Sequence, residues 1–384
     1  MKEKFLLIGS SCVVILLILI SCKENKSKEE EVKIISSINW YSAMSSPANY
    51  RIDGPHIYYY SKGKLINSDE TLTTIGNFGW VYPNQGRSSS LENGYPDSVY
   101  VKYGGLNEKL QTCWFEGGNK LPYNKIKRLF ENGYKVDNKK VEFQYITTGM
   151  APGGRVCIWL DHIEILRFKI KIQEIYNQKP FDYTTEVNSV KQVLSYLKHH
   201  PVDYSIWEKP DPRYELDFGF CSEDKSITYW GIYIISKEGI RDVITRNRID
   251  KTIWKIPYGE KPDIPFTNNY QQINETIRDY KICLPVDVQI SWKINEVKRI
   301  ETNIVMPKNL PQRFTKSYIN PETNKPSYFN RIVFGVEKDG THCIMWLDGP
   351  GKQEKIMRFK GLPGIINKDK SSETGGYATE VVYY

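Results

Sequence analysis

Val156-Cys157-Ile158-Trp159-Leu160-Asp161 returns near the C-terminus as His342-Cys343-Ile344-Met345-Trp346-Leu347-Asp348, one residue longer. Each copy follows a glycine turn, Gly153-Gly154 in the first and Asp339-Gly340 in the second. Each precedes an Arg-Phe-Lys string, Arg167-Phe168-Lys169 and Arg358-Phe359-Lys360. Apolar strings of this length, bounded by glycine and rich in β-branched and aromatic residues, read as buried strands. Recurrence of a whole set of features in one order predicts two tandem homologous domains.

Working outward, the echoes continue. Ile57-Tyr58-Tyr59-Tyr60, turning at Gly63, matches Ile232-Tyr233-Ile234-Ile235, turning at Gly239. Pro285 to Trp292 matches the alternating strand Asp97 to Tyr103, for which Leu110 to Phe115 is the expected antiparallel partner across Gly104-Gly105. Val141 to Tyr145 and Arg155 to Leu160 read as strands joined by a turn over Gly149 to Gly154. Pro122 opens a helix in which Ile126, Leu129 and Phe130 share a face, and Gly133 closes it. Leu310 to Phe314 is its counterpart, shortened by Pro311. Gly376 to Val381 matches Tyr183 to Val187. One further amphipathic helix is expected over Ser189 to His200, and Pro201, Pro210 and Pro212 mark a linker. The fold expected is α+β, mainly antiparallel β, with a short helix in each domain. The first β-rich repeat spans 38–187, helix and linker span 188–213, and the second repeat spans 214–384.

The N-terminus carries a different message. Lys2 and Lys4 precede the apolar run Phe5 to Ile20, and Leu19-Ile20-Ser21-Cys22 closes it. A small residue before cysteine lets a signal peptidase cut, and the thiol then takes a diacylglyceryl group. The run is about sixteen residues, short of the roughly 20 that span a bilayer. Residues 1–21 therefore read as a lipoprotein signal peptide, Cys22 as the lipidation site, and the charged stretch 22–37 as a flexible tether. The expected location is the outer membrane, facing the periplasm or the surface.

At these residues a resemblance emerges. The lipobox, the Leu-Pro step into a short helix, and Thr147 to Leu160 through its Ala-Pro-Gly-Gly turn resemble the domain-of-unknown-function 2931 family of Gram-negative envelope lipoproteins. The resemblance covers nearly all of the first repeat; Gly335 to Gly340 of the second lacks the Ala-Pro-Gly-Gly turn. It implies location and fold, and brings no activity with it.

No complete chemical constellation stands out. Gly149-x-x-x-x-Gly154 lacks the Lys and Ser/Thr of a phosphate loop and precedes a strand, so it reads as a hairpin turn. Asp161-His162-x-Glu164 lacks distant metal partners, and the five histidines show no ligand spacing. Neither a metal nor a cofactor is expected. The formal charge of +8 is spread as single lysines, without a nucleic-acid motif.

Seven cysteines less Cys12 and Cys22 leave Cys113, Cys157, Cys221, Cys283 and Cys343. Five is odd, so buried thiols are expected, Cys157 and Cys343 in equivalent places, with Cys221–Cys283 as one bridge that could form. Trp80, Trp159 and Trp346, with Trp114 and the Tyr-rich strands, are candidate ligand contacts. Trp80, in a loop among Gly and Asn, is the one expected to be exposed.

These features predict a lipid-anchored binding protein rather than an enzyme, with an immunity protein against a delivered toxin as one version. The alternative is a cell-surface glycan-binding accessory protein. The expected partners are membrane lipid through the acyl anchor and a protein or a glycan, with no nucleic acid.

Overall fold

The computed structural model describes residues 39–50, 52–71, 79–81, 85–89, 94–109, 111–136, 139–161, 163–177, 195–224, 226–245, 267–268, 281–364 and 376–384. Cys22, the signal peptide, the tether, His162, residues 182–187 and residues 189–194 of the expected helix lie outside these. Asn39–Tyr384 form one compact unit. No described helix is long and apolar enough to cross a membrane.

Ten strands build the two five-stranded sheets of the first half: β1 (Tyr41–Ser45), β2 (Asp53–Ser61), β3 (Lys64–Glu70), β4 (Gln85–Ser89), β5 (Ser98–Leu106), β6 (Thr112–Lys120), β7 (Tyr145–Ala151), β8 (Arg155–Leu160), β9 (Ile163–Lys169) and β10 (Lys171–Asn177). They form a sheet of order β9-β8-β7-β1-β4 and a second of order β10-β6-β5-β2-β3. The sheets face each other: the Tyr59 hydroxyl on β2 meets Thr148 Oγ1 on β7 at 2.6 Å, and the Tyr103 hydroxyl on β5 donates to the Ala151 carbonyl at 2.6 Å.

Ten more strands build the two five-stranded sheets of the second half: β11 (Asp217–Ser222), β12 (Ile227–Ser236), β13 (Arg241–Thr245), β14 (Thr267–Asn268), β15 (Pro285–Ile294), β16 (Lys298–Val305), β17 (Arg331–Val336), β18 (His342–Gly349), β19 (Lys352–Lys360) and β20 (Thr379–Tyr383). The sheet orders are β11-β17-β18-β19-β20 and β14-β13-β12-β15-β16. Between them lies one apolar core that includes Phe218, Ile232, Val288, Trp292, Phe334 and Phe359.

Pairing is antiparallel throughout these sheets except at one place in each half. β1 runs parallel to β7, and β11 runs parallel to β17. Two short helices accompany the sheets, α1 (Tyr123–Asn132) and α2 (Leu310–Thr315), and residues 195–199 of the expected linker helix are helical as well. The protein is a β-rich α+β fold. In α1, Ile126 and Phe130 are buried and Gly133 closes the helix through its N–H to the Leu129 carbonyl. Pro311 sits in the first turn of α2, where its missing N–H costs nothing, and the helix is six residues against ten.

Three boundaries and one equivalence differ from expectation. The strand expected at Val141 to Tyr145 instead runs Tyr145–Ala151, and the turn is confined to Pro152–Gly154. Gly104 and Gly105 lie inside β5, and the connection to β6 falls over residues 107–111. The expected linker contributes a short 3-10 turn, Tyr204–Trp207, whose Ile206 and Trp207 are buried.

The equivalence concerns cysteine. A bulge precedes Trp159 in the β8–β9 register and another precedes Trp346 in the β18–β19 register. Arg167 and Arg358 pair with Cys157 and Ile344 respectively. Counted from the tryptophans, Cys157 corresponds to Ile344, and Cys343 corresponds to Val156. A shift of one residue reverses the face in a strand. Cys157 therefore packs outside its sheet with Trp80 and Trp159, whereas Cys343 packs inside the second core.

Candidate functional site

Trp80, Trp159 and Trp346 are buried, at 0%, 2% and 4% exposure. This corrects their reading as ligand contacts, and Trp80 as the exposed one in particular. The structure brings two of the three together: the Trp80 and Trp159 rings meet edge to face, centroids 4.9 Å apart. Trp207, Tyr50 and Ile240 complete the cover. Trp346 packs with Cys221, Val333 and Ile344 on the corresponding face of the second half. Large flat rings on a sheet's outer face were used here to seat the linker and the other half.

An accessible aromatic surface lies on the opposite sheet of the first half. Strict alternation in β2, β5 and β6 buries Ile57, Tyr59, Val101, Tyr103 and Phe115 and turns Tyr58, Tyr60, Tyr100, Lys102, Trp114 and Glu116 to the other side, half-buried. Tyr58 is directly paired with Tyr100, and their ring centroids are 6.4 Å apart. Trp114 meets Tyr176 of the edge strand β10 at 5.9 Å, and Tyr176 is 51% exposed. Lys102 Nζ sits 5.4 Å from the Trp114 ring centre, a cation–π distance.

Two glycines let the rings lie close to the sheet. A Cβ on Gly54 would stand 3.2 Å from Trp114 Cη2, and one on Gly118 would stand 3.2 Å from Tyr100 Cδ2. Carboxylates hold the phenols: the Tyr58 hydroxyl donates to Glu70 Oε1 at 2.8 Å, and that of Tyr100 donates to Glu116. The bond to Glu116, with burial adding, pushes the Tyr100 phenol up to about 12. Chemically, the face offers flat ring surfaces bordered by carboxylates, an ammonium and the His56 imidazole. Trp114 and the Tyr-rich strands were legible in the sequence; Tyr176 was not, because only pairing across β6 and β10 brings it there.

Two other residue sets read as structural. Asp161 accepts from the backbone N–H groups of Tyr145 and Gln144, at 2.9 and 3.3 Å, and Glu164 pairs with Arg167 at 2.8 Å. Glu337, Asp339 and His342 bring ligand-type atoms within 4.8 Å of one another, a cluster the histidine spacing did not suggest. Glu337 is already held by two bonds from Arg358, at 2.6 and 2.8 Å. Asp339 accepts from the backbone of Thr341 and His342 and so ties the hairpin.

The five described cysteines are free and buried, and the Cys221–Cys283 bridge is not formed. The two belong to different clusters, Cys221 with Trp346 and Cys283 with Tyr50 and Trp80. Burial pushes the Cys221 thiol up to about 12 and those of Cys157 and Cys343 well above the ordinary range, which leaves them poor nucleophiles.

No curated protein and no solved structure matches the chain. A family model does, over residues 23–205, a stretch that holds all of β1 to β10 and continues into the linker. The family whose model it matches there is described as Protein of unknown function (DUF2931).

Proposed function

We propose that this is a lipid-anchored protein of the outer membrane that works by binding, with the aromatic face of the β10-β6-β5-β2-β3 sheet as its contact surface. The observation that carries the reading is the set of half-exposed rings, Tyr58, Tyr100, Trp114 and Tyr176, bordered by Glu70, Glu116 and Lys102. Sugar rings present C–H faces that stack on aromatic rings and hydroxyls that bond carboxylates, so a glycan suits this surface. The reading includes two tandem homologous domains, 38–187 and 214–384. The matching parallel pairs, bulges and tryptophans of the two halves support it.

The test uses the soluble chain from residue 23, screened against bacterial and host oligosaccharides by tryptophan fluorescence and calorimetry. Saturable binding that Trp114→Ala weakens several-fold is expected, since one stacked ring contributes roughly 0.5–1.5 kcal/mol beyond its burial. A panel without a binder sinks the glycan reading.

A protein partner is the second reading, including an immunity role against a delivered toxin. Its support is the chemistry of the same face: a flat sheet rich in Tyr and Trp with charges of both signs resembles the centre and rim of protein interfaces. Protection of cells by co-expression with a neighbouring effector, lost in Trp114→Ala, favours it; no protection removes it. Protease shaving of intact cells, wild type against Cys22→Ala, locates the protein. Membrane attachment that survives Cys22→Ala defeats the anchor assignment.

A further inference from the structure

The linker and the second half enclose a cleft of about 680 Å³, the size of a small-molecule site. Its apolar wall includes Tyr196, Ile206, Leu284, Val286, Met306 and Pro311. The wall is stiff: Tyr50 meets Tyr196 and Trp207 edge to face at 6.2 and 4.9 Å, and prolines stand at positions 201, 212, 285, 307 and 311.

The polar groups are unevenly committed. His200 contacts Asp287 through Nε2 at 3.0 Å and stacks on Tyr196 at 4.5 Å. Asp287 is 3% exposed and also accepts from the Tyr377 hydroxyl at 2.8 Å. Asp203 is occupied by the backbone N–H and hydroxyl of Ser205, at 3.0 and 2.6 Å. Asp211 accepts from the Glu238 N–H at 3.1 Å. Lys237 and Lys308, both exposed, line the cleft; neither ammonium makes an ion pair among the described residues, and the Lys237 charge acts on Asp203 and Asp211. An apolar trough edged by two ammonium groups that no ion pair holds matches a ligand that is apolar along its body and negative at one end.

We infer that this cleft binds a single-chain amphiphile with an anionic head, carboxylate or phosphate. The body lies along Ile206, Val286 and Met306, and the head meets Lys237 and Lys308. This site is separate from the aromatic face and does not depend on what that face binds.

Calorimetry on the soluble chain of residues 23–384 tests it, with dodecanoate and dodecyl phosphate below their micelle concentrations and dodecyltrimethylammonium as the opposite charge. One saturable site for at least one of the anions is expected, with the cation bound at least about tenfold more weakly. The double variant Lys237→Gln, Lys308→Gln removes both charges at exposed positions without adding new ones, so it should stay folded and lose about tenfold or more in anion affinity. Val286→Trp, which fills the trough, should abolish binding, while Trp114→Ala should leave it intact. Absence of saturable binding by both anions overturns the inference. So does equal binding by the cation, or undiminished anion binding by a folded lysine double variant.

Discussion

The carboxylate of Glu238, at the tip of the β12–β13 hairpin, lies 2.8 Å from the guanidinium of Arg167 on β9 in the other half. Glu238 is 1% exposed, and burial raises its carboxyl while Arg167 pulls it back towards the charged form. The surroundings complete a joint. Asp211 bonds Glu238 through the backbone in both directions, and the Trp207 indole donates to the Glu238 carbonyl at 2.9 Å. Next to it, the Gly239 carbonyl accepts from the N–H groups of Ala48 and Trp80, each at 2.9 Å. Gly239 has φ of +83°, and a Cβ there would stand 2.6 Å from that of Pro47, so only glycine fits.

Removing one member of a buried pair leaves the other without its compensation, at about 3–5 kcal/mol. Arg167 keeps Glu164 at 2.8 Å, so the lower end applies here. Glu238→Ala is expected to cost about 3 kcal/mol by urea unfolding, and Arg167→Ala a similar amount. Losses within about 0.5 kcal/mol of zero would show that the joint does not draw on this pair.

Asp69 predicts a pH dependence. It lies on β3 facing the first core, 6% exposed, and burial raises its carboxyl from 3.8 to about 6. The folded state therefore holds the proton more tightly than the unfolded chain. The associated stability is fully present below about pH 3.8 and is lost as pH rises through about 6. At neutral pH the penalty is up to about 3 kcal/mol, from roughly 2 pKa units at about 1.4 kcal/mol each. Asp69→Asn should raise stability at pH 7.5 by about 1–3 kcal/mol, and the gain should shrink steadily towards pH 4. A gain that does not vary with pH would rule out titration of Asp69 as its origin.

The elements with local signals were legible in the sequence. The Tyr-rich hairpin turns at Gly63, α1 ends at Gly133, and both tryptophan strands are strands. What could not be read was which face meets what. Trp80 has polar and glycine neighbours in sequence, yet its cover comes from Trp159, Trp207 and Ile240. Glycine misled in a consistent way. Gly104 and Gly149 resemble turn residues, but both lie inside strands: Gly104 directly opposes Trp114, and Gly149 gives room to Trp159. A period-2 pattern likewise could not tell Cys157 from Cys343 until the bulges fixed the register.

The thiols give a direct chemical check on burial. Cys113, Cys157, Cys221, Cys283 and Cys343 are all free and buried, and burial raises the thiols of Cys113, Cys157, Cys221 and Cys343. Thiolate is the reactive form, so the folded protein from residue 23 should react negligibly with an aromatic disulfide reagent at pH 8. The same protein in guanidinium should release the equivalent of all five thiols without a reductant. A total of three after denaturation would mean that a bridge forms in the purified protein.

Gly149 on β7 and Gly335 on β17 occupy the same place in the parallel pairs, opposite Ser45 and Cys221. A methyl group on Gly149 would run into the Trp159 ring and stand 2.9 Å from Trp80 Cζ3; one on Gly335 would stand 2.7 Å from Trp346 Cζ3. Both tryptophans are buried, so neither ring can swing into solvent without losing its packing. Overpacking of this kind costs about 1–3 kcal/mol, and Gly149→Ala and Gly335→Ala should each lose that much in urea unfolding. Each should also shift the tryptophan emission of the folded protein, because the displaced indole is the reporter. Gly149→Ala should cost more, since it displaces two indoles packed edge to face where Gly335→Ala displaces one. Pairing each with Trp159→Phe or Trp346→Phe should recover part of the loss only within its own half. Recovery across halves, or none in either, would mean that the glycines are needed for something other than room for these rings.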